Sequence, residues 1–241
     1  MDLAYGHDYR ELYYRHWWWR AREAAILEVL YRHSPQTGWS DILDIGCGDG
    51  LFFDKLLKLG NVEGLEPSAD LVTPDGPHRQ RIHIRPFDKD FQPGKQYSLI
   101  LMLDVLEHLS NPVDVLSHAL SLLTSSGAIL ITVPALNILW TNQDVVNKHL
   151  TRYTKRTLRN VAEKAGMLIE DERYWFQWTV PVKLAQRTVE HLFHCKPVSP
   201  RIPFRPLNAA LYLLSRCELA FAKRISFPFG SSLFVLGRNR K

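Results

Sequence analysis

Residues Leu43 to Gly50 read LDIGCGDG, and the fold turns on them. The apolar run Ile42 to Ile45 is the length of a buried strand, and it ends in Gly46, Gly48 and Gly50 at alternate positions. Glycines there remove Cβ atoms, accept positive φ and let a ligand lie against the backbone. In a doubly wound sheet, ligands bind where the first strand turns into its helix. A dinucleotide loop spaces its glycines G-x-G-x-x-G so that pyrophosphate meets the helix N-terminus. Here the spacing is G-x-G-x-G, and an acid, Asp44, stands two places before the first glycine. A carboxylate repels a pyrophosphate and suits a cationic ligand.

Outward from this loop, helical and extended stretches alternate. The periodicity predicts a helix over Arg20 to His33, broken by Ser34 to Gly38, and a second over Leu51 to Leu59. Val62 to Glu66 and Ile82 to Arg85 read as strands. Tyr97 to Leu103 is a continuous apolar run, the mark of a strand covered on both faces. A helix over Val113 to Leu123, a turn at Ser125-Ser126-Gly127 and a strand over Ala128 to Val133 follow. Thr154 is placed to cap a helix over Lys155 to Ala165, with Gly166 at its far end. Met167 to Glu172 leads into the aromatic patch Tyr174-Trp175-Phe176, and Ser232 to Gly237 reads as the last strand. Between patch and last strand lie helix-like pieces over Val182 to Phe193 and Leu207 to Lys223, parted by a proline-rich stretch from Pro197 to Pro206. The expected fold is α/β, a Rossmann-like, doubly wound, mostly parallel seven-stranded sheet. The expected pieces are an N-terminal helical cap (1–35), the ligand-binding core (36–176), a basic helical insert (177–230) and the final strand (231–241).

The 241 residues are 46% hydrophobic and 23% charged, enough to bury a full core and unlike a disordered chain. From Pro181 onward eleven Lys or Arg stand against two acids, whereas the first 180 residues carry 19 basic and 23 acidic. The formal +5 of the chain is therefore a property of its last quarter, which favours an anionic neighbour or is a solvated basic face. The charged, broken N-terminus is unlike a signal peptide, and no apolar run approaches the roughly 18 residues of a spanning helix. Cys47, Cys195 and Cys217 are odd in number and unpatterned, which reads as reduced thiols in a cytoplasmic protein. No His, Cys, Asp and Glu spacing forms a metal constellation, and nothing speaks to oligomeric state.

ILDIGCGDG resembles the first motif of class I S-adenosylmethionine-dependent methyltransferases, and three further stretches carry the likeness on. VEGLEPS is similar to the second-strand motif, LDVLEHLSNP (Leu103 to Pro112) to the fourth-strand motif of the quinone-biosynthesis subgroup, and GAILITVP to the fifth strand. Tyr97-Ser98 departs from the usual Phe-Asp opening of the fourth strand. The resemblance implies a methyltransferase that binds S-adenosylmethionine, which carries a sulfonium and an ammonium, through Asp44, Gly46, Cys47, Gly48 and Glu66, with Glu66 on the ribose hydroxyls. It implies Asp88 at the adenine amino group (or as a turn former), and Leu103 and Asp104 beside the methyl (or Asp104 as a helix cap). Arg20 or Arg22, in the N-terminal segment HWWWRARE, is the candidate for the cofactor's carboxylate, with Trp17 to Trp19 over the pocket or packed on the sheet edge.

The loop from Leu136 to Thr154 follows the fifth strand and holds Trp140, Asp144, His149, Arg152 and Tyr153 as candidate acceptor contacts, with His108 a further one. His149 is the candidate general base, because imidazole titrates near neutrality and can take a hydroxyl proton. A lone histidine is more often structural than catalytic, and methyl transfer draws mainly on positioning. The expected reaction is O-methylation of a small-molecule or glycan acceptor. The alternative is a lipid-linked or membrane-borne acceptor, with the basic insert on an anionic membrane surface and the protein peripheral to the membrane's inner face. A non-catalytic scaffold subunit is the third reading. Nucleic acid is not expected as a partner, since no Asn-Pro-Pro-Tyr-type signature follows the fourth strand.

Overall fold

The computed structural model describes residues 3–196, 200–221 and 227–240. Residues 197–199 of the proline-rich stretch, the last two positions of the helix expected over 207–223, and Lys241 lie outside that description. The chain divides into two compact units. A core unit takes residues 34–133, 153–172 and 234–241, and a cap unit takes 1–33, 134–152 and 173–233.

The cap unit begins with α1 (Leu3–Arg15) and α2 (Trp17–Arg32). The helix expected from Arg20 is α2, which starts three residues earlier, and a further helix, α1, precedes it, parted from it at His16. His16 is extended (φ −77, ψ 135) and its Nδ1 accepts the Trp18 N–H at 3.1 Å, so a histidine does the capping usually done by Ser, Thr, Asp or Asn. Burial pushes the His16 imidazole down to about pKa 4, which keeps that nitrogen an acceptor at neutral pH.

The core unit carries most of the sheet. β1 (Asp41–Ile45) runs into the glycine loop, then α3 (Phe53–Leu56), β2 (Asn61–Glu66), β3 (Ile82–Ile84) and β4 (Tyr97–Leu103) follow. α4 (Pro112–Ser121) and β5 (Leu123–Pro134) complete that half. After α5 (Asn142–Val146) in the cap unit come α6 (Lys155–Ala165) and β6 (Met167–Trp175). α7 (Thr179–Phe193), α8 (Arg205–Phe221) and β7 (Ser232–Asn239) finish the chain. One sheet takes the strands in the order β3-β2-β1-β4-β5-β7-β6, and β1, β2, β3, β4 and β5 pair in parallel. The α/β, mostly parallel seven-stranded expectation holds. β1 and β4 lie in register, Asp44 opposite Leu101 and Ile45 opposite Met102, and Leu99 to Met102 are wholly buried.

Three local expectations change. The helix expected over Leu51 to Leu59 shrinks to α3, because its flanks wind through i−3 bonds: Phe53 to Gly50 and Lys55 to Phe52 at one end, Lys58 to Lys55 and Leu59 to Leu56 at the other. The helix expected over Val113 to Leu123 starts at Pro112, whose missing N–H costs nothing at the first position, and stops at Ser121. Ser125-Ser126-Gly127 is not a turn between elements. The β4–β5 register steps from Tyr97↔Leu123 to Leu99↔Ala128, so these residues bulge out of a strand already begun. The caps of α6 are as expected: Thr154 Oγ1 accepts the Thr157 N–H at 3.1 Å, and Gly166 is left-handed at φ 83.

Candidate functional site

The glycine loop is built from its backbone outward. Gly46, Gly48 and Gly50 have φ of 78, 54 and 66, a region costly for any residue with a Cβ. A Cβ on Gly46 would meet the Val105 side chain at 2.8 Å, whereas one on Gly48 would meet nothing within 4 Å. The backbone at Gly48 is thus open to a ligand. Glu66, at the end of β2, is buried and clamps the loop: one carboxylate oxygen accepts the Gly48 N–H at 3.0 Å and the other the Ser68 N–H at 2.9 Å. Burial raises its pKa, and these two hydrogen bonds work against the rise. Each oxygen keeps a further lone pair that can receive a hydroxyl, which a ribose diol requires.

Asp44 is also buried, in register with Gly64 of β2 and Leu101 of β4. Cys47 folds back onto β2: a Cβ on Gly64 would stand 2.5 Å from its Sγ and 2.8 Å from Phe53, so only glycine fits there. Burial, followed by the charges of Asp44 and Glu66, drives the Cys47 thiol far above its ordinary range. Cys47 is therefore a packing residue of the loop in the neutral thiol form. The loop has the backbone and two buried carboxylates that a cationic, ribose-bearing donor needs.

At the carboxyl end of β4, Leu103 pairs with Thr132. Asp104 follows in the left-handed region (φ 60), a strain of order 1 kcal/mol for a non-glycine residue. Its N–H donates to the Thr132 carbonyl at 2.9 Å and its carboxylate accepts the Thr132 hydroxyl at 3.1 Å. Asp104 does not cap a helix: the residue before α4 is Asn111. Asp88 behaves as a turn former, its carboxylate accepting the Asp90 N–H at 3.0 Å and lying 3.6 Å from Arg85. Glu107 is fully buried and His108 exposed. Tyr153 is buried in the same unit with its hydroxyl donated to the Leu106 carbonyl at 3.1 Å, and burial, then the Glu107 charge, push it up to about 12. That hydroxyl braces the loop after β4.

In the cap unit, the loop after β5 folds around Asp144, which has no exposed surface. Its Oδ1 accepts Nδ1 of His149 and Nε of Arg152, both at 2.8 Å. Its Oδ2 accepts Nη2 of Arg152 and the Thr141 N–H, both at 2.8 Å. The remaining Arg152 nitrogen donates to the Ala135 carbonyl at 3.1 Å. Burial alone would raise the Asp144 carboxyl, but the hydrogen bonds from His149 and Arg152 outweigh it and hold the group well below the carboxylate range. Nδ1 is thus the His149 nitrogen directed at Asp144. The structure thus brings Asp144, His149 and Arg152 together; Trp140, partly buried, lies in the same loop.

Arg22 lies 5.5 Å over the Trp18 ring. The three tryptophans pack among aromatics of their own unit: Trp17 against Trp178 at 5.1 Å, Trp18 against Phe176 at 5.9 Å, and Trp19 against His16 at 5.0 Å. One face of α7 clasps the Asp144 loop, and the sequence reading did not single it out. Arg187 donates to the Asn137 and Ile138 carbonyls at 3.2 and 2.6 Å, and Glu190 accepts the Asn142 N–H at 2.8 Å. With Lys183 these make an i, i+4, i+7 row, the one signal that would have marked them.

A family model described as "Methyltransferase domain" matches residues 10–171. The chain belongs to the methyltransferase-domain family. Among curated proteins, the ubiquinone biosynthesis O-methyltransferase of Rhodopseudomonas palustris (strain HaA2) is 29% identical over 106 residues, 41% of each chain. The chain spans about two-fifths of the length of that relative. Among solved structures, a methyltransferase in complex with the Haloferax volcanii Trm112 activator aligns at TM-score 0.60 and 14% identity over 99% of this chain and 97% of its own. The plantazolicin methyltransferase BpumL, in complex with SAH, aligns at TM-score 0.57 and 14% identity over 99% and 89%. Both share the fold of this methyltransferase-domain chain.

Proposed function

We propose that this chain is an S-adenosylmethionine-dependent methyltransferase that methylates a hydroxyl of a small-molecule or glycan acceptor. The observation that carries the reading is the open, left-handed backbone at Gly48, clamped by buried Glu66 and preceded by buried Asp44. The relatives support the donor and the oxygen chemistry: one is named an O-methyltransferase of ubiquinone biosynthesis, and a structural neighbour is titled with SAH. When bound, the donor supplies an electrophilic methyl on a sulfonium. Asp44 balances positive charge, Glu66 receives the ribose hydroxyls, and Gly48 admits the donor to the backbone. Gly46 and Cys47 shape the turn, Asp88 meets the adenine side, Leu103 and Asp104 border the methyl, and Arg22 takes the carboxylate. His149, oriented by Asp144, removes the acceptor's proton at Nε2. Trp140 and Arg152 shape the acceptor side, the latter by holding Asp144, and Tyr153 and His108 are further candidate acceptor contacts. Calorimetry and an acceptor screen with radiolabelled donor test the reading. Asp44→Ala and Glu66→Ala should abolish donor binding, and unchanged affinity in both rejects it. His149→Ala should lower turnover with donor affinity intact, and full activity removes it as the base.

A second reading, an acceptor carried at an anionic membrane, is favoured by the way α7 and α8 face. Three polar residues of α8 are spent on its own unit: Asn208 bonds the Trp17 N–H and the Arg15 carbonyl, Ser215 accepts from the Trp178 indole, and Glu218 caps Gln177 and Trp178. Leu207, Leu213, Leu214 and Phe221 of α8 are exposed, as are Val182, Val189, Leu192 and Phe193 of α7. Apolar residues outward beside Arg201, Arg205 and Lys196 suit a lipid surface. No helix among the described residues is long and apolar enough to cross a membrane. Flotation with phosphatidylglycerol vesicles tests it: co-flotation lost in Leu214→Glu/Phe221→Glu supports the reading, and no co-flotation by the unaltered protein sinks it.

A further inference from the structure

Thr132 is the one polar residue in the buried stretch Ala128 to Val133 of β5. Its neighbours Ile131 and Val133 are wholly buried, so a valine of the same shape would fill the position and suit the strand as well. A buried hydroxyl costs free energy unless it is bonded. This one donates to the Asp104 carboxylate at 3.1 Å, and the Thr132 carbonyl accepts the Asp104 N–H at 2.9 Å.

Two bonds to one residue therefore fix an unfavourable backbone. Asp104 lies in the left-handed region at φ 60, and strain of that kind persists where the surroundings over-determine it and gathers at ligand sites. The turn lies beside the glycine loop of the same core unit. Ile45 and Met102 pair at the ends of β1 and β4, and a Cβ on Gly46 would meet the side chain of Val105, the residue after Asp104, at 2.8 Å. The end of β4 thus delivers a half-buried carboxylate beside the loop whose backbone opens at Gly48.

We infer that Thr132 is a positioning residue of the donor site, holding the Asp104 turn so that its carboxylate favours the charged donor, S-adenosylmethionine, over the product, S-adenosylhomocysteine. The inference rests on the proposed placement of Asp104 at the methyl, and it adds a basis for exchanging product for fresh donor. A carboxylate there meets a sulfonium before transfer and a neutral thioether after it, because the C–S bonding pair stays on sulfur when the methyl leaves. Only the sulfonium is attracted.

The experiment titrates S-adenosylmethionine and S-adenosylhomocysteine separately into the full chain by calorimetry, with thermal melts to establish that each variant is folded. The quantity read is the affinity for the donor divided by that for the product. Asp104→Asn keeps the size of the side chain and tolerates the left-handed turn, so it removes the charge alone. The ratio should fall by at least about threefold in Asp104→Asn and in Thr132→Val. Thr132→Ser restores the hydroxyl and should restore the parental ratio. Thr132→Val added to Asp104→Asn should lower the ratio no further, since the charge it positions is already gone. If Thr132→Val does not fold, Thr132→Ala carries the same expectations. A parental ratio in Asp104→Asn or Thr132→Val overturns the inference, and so does an equal weakening of both ligands, which is what a merely structural role would give. A lowered ratio in Thr132→Ser, or a further fall in the double variant, overturns it as well. Failure of the unaltered protein to bind either ligand defeats the underlying reading instead.

Discussion

Replacing Arg152 with Met removes the partner of a carboxylate that has no exposed surface. Two hydrogen bonds of 2.8 Å to Asp144 and one of 3.1 Å to the Ala135 carbonyl disappear. What remains is a buried carboxylate held by His149 and Thr141 alone. Breaking one side of a buried pair costs about 3–5 kcal/mol, far more than an exposed pair contributes. For a chain of this size that is a fall in Tm of roughly 6–20 °C at about 2–4 °C per kcal/mol. The sign with pH is fixed by direction. Asp144 titrates below its unfolded value of about 3.9, so its contribution is complete above that pH and fades as pH falls through and below it. The excess stability of the parent over Arg152→Met should therefore persist at pH 5 and narrow toward pH 3. Urea denaturation across that range measures it, and Asp144→Asn/Arg152→Met should cost less than the sum of the singles by about 2 kcal/mol or more. A cost below about 1 kcal/mol for Arg152→Met at pH 7 would refute the claim that this pair organises the loop.

Three further outcomes follow from the loop and its packing. Gly64→Ala places a Cβ 2.5 Å from the Cys47 Sγ, and should destabilise by about 1–3 kcal/mol in thermal melts, with part regained in Gly64→Ala/Cys47→Ala. Gly48→Ala meets no protein atom, so it should cost only about 1 kcal/mol of backbone strain while donor affinity falls at least tenfold by calorimetry. Iodoacetamide at pH 8 should modify exposed Cys195 and Cys217 quickly and Cys47 far more slowly by mass spectrometry, since burial and two nearby carboxylates disfavour its thiolate.

The parts of the fold written in local chemistry were legible. Thr154 and Gly166 mark both ends of α6, and the unbroken apolar run at Tyr97 to Leu103 marks a strand covered on both faces. The break at His16 was hidden because histidine rarely caps a helix, and α3 was overread because a spacing pattern does not reveal where i−3 bonds take over. At the site, Asp44 and Gly48 declare themselves by spacing around the end of β1, and Glu66 through the resemblance of VEGLEPS to the second-strand motif. The Asp144 hub does not: its partners lie five and eight residues on, and only the folded loop turns them onto one carboxylate. The outward apolar faces of α7 and α8 were likewise invisible. Composition shows that the residues are apolar, but which face turns inward depends on what Asn208, Ser215 and Glu218 bind.

The central claim is that the Gly48 loop and Glu66 hold S-adenosylmethionine. Calorimetric titration of that donor into the full chain and into Glu66→Ala tests it most directly. The account predicts one site per chain in the unaltered protein and at least a hundredfold weaker binding in Glu66→Ala, with both proteins folded. Absence of binding by the unaltered protein, or equal affinity in the two, would contradict it.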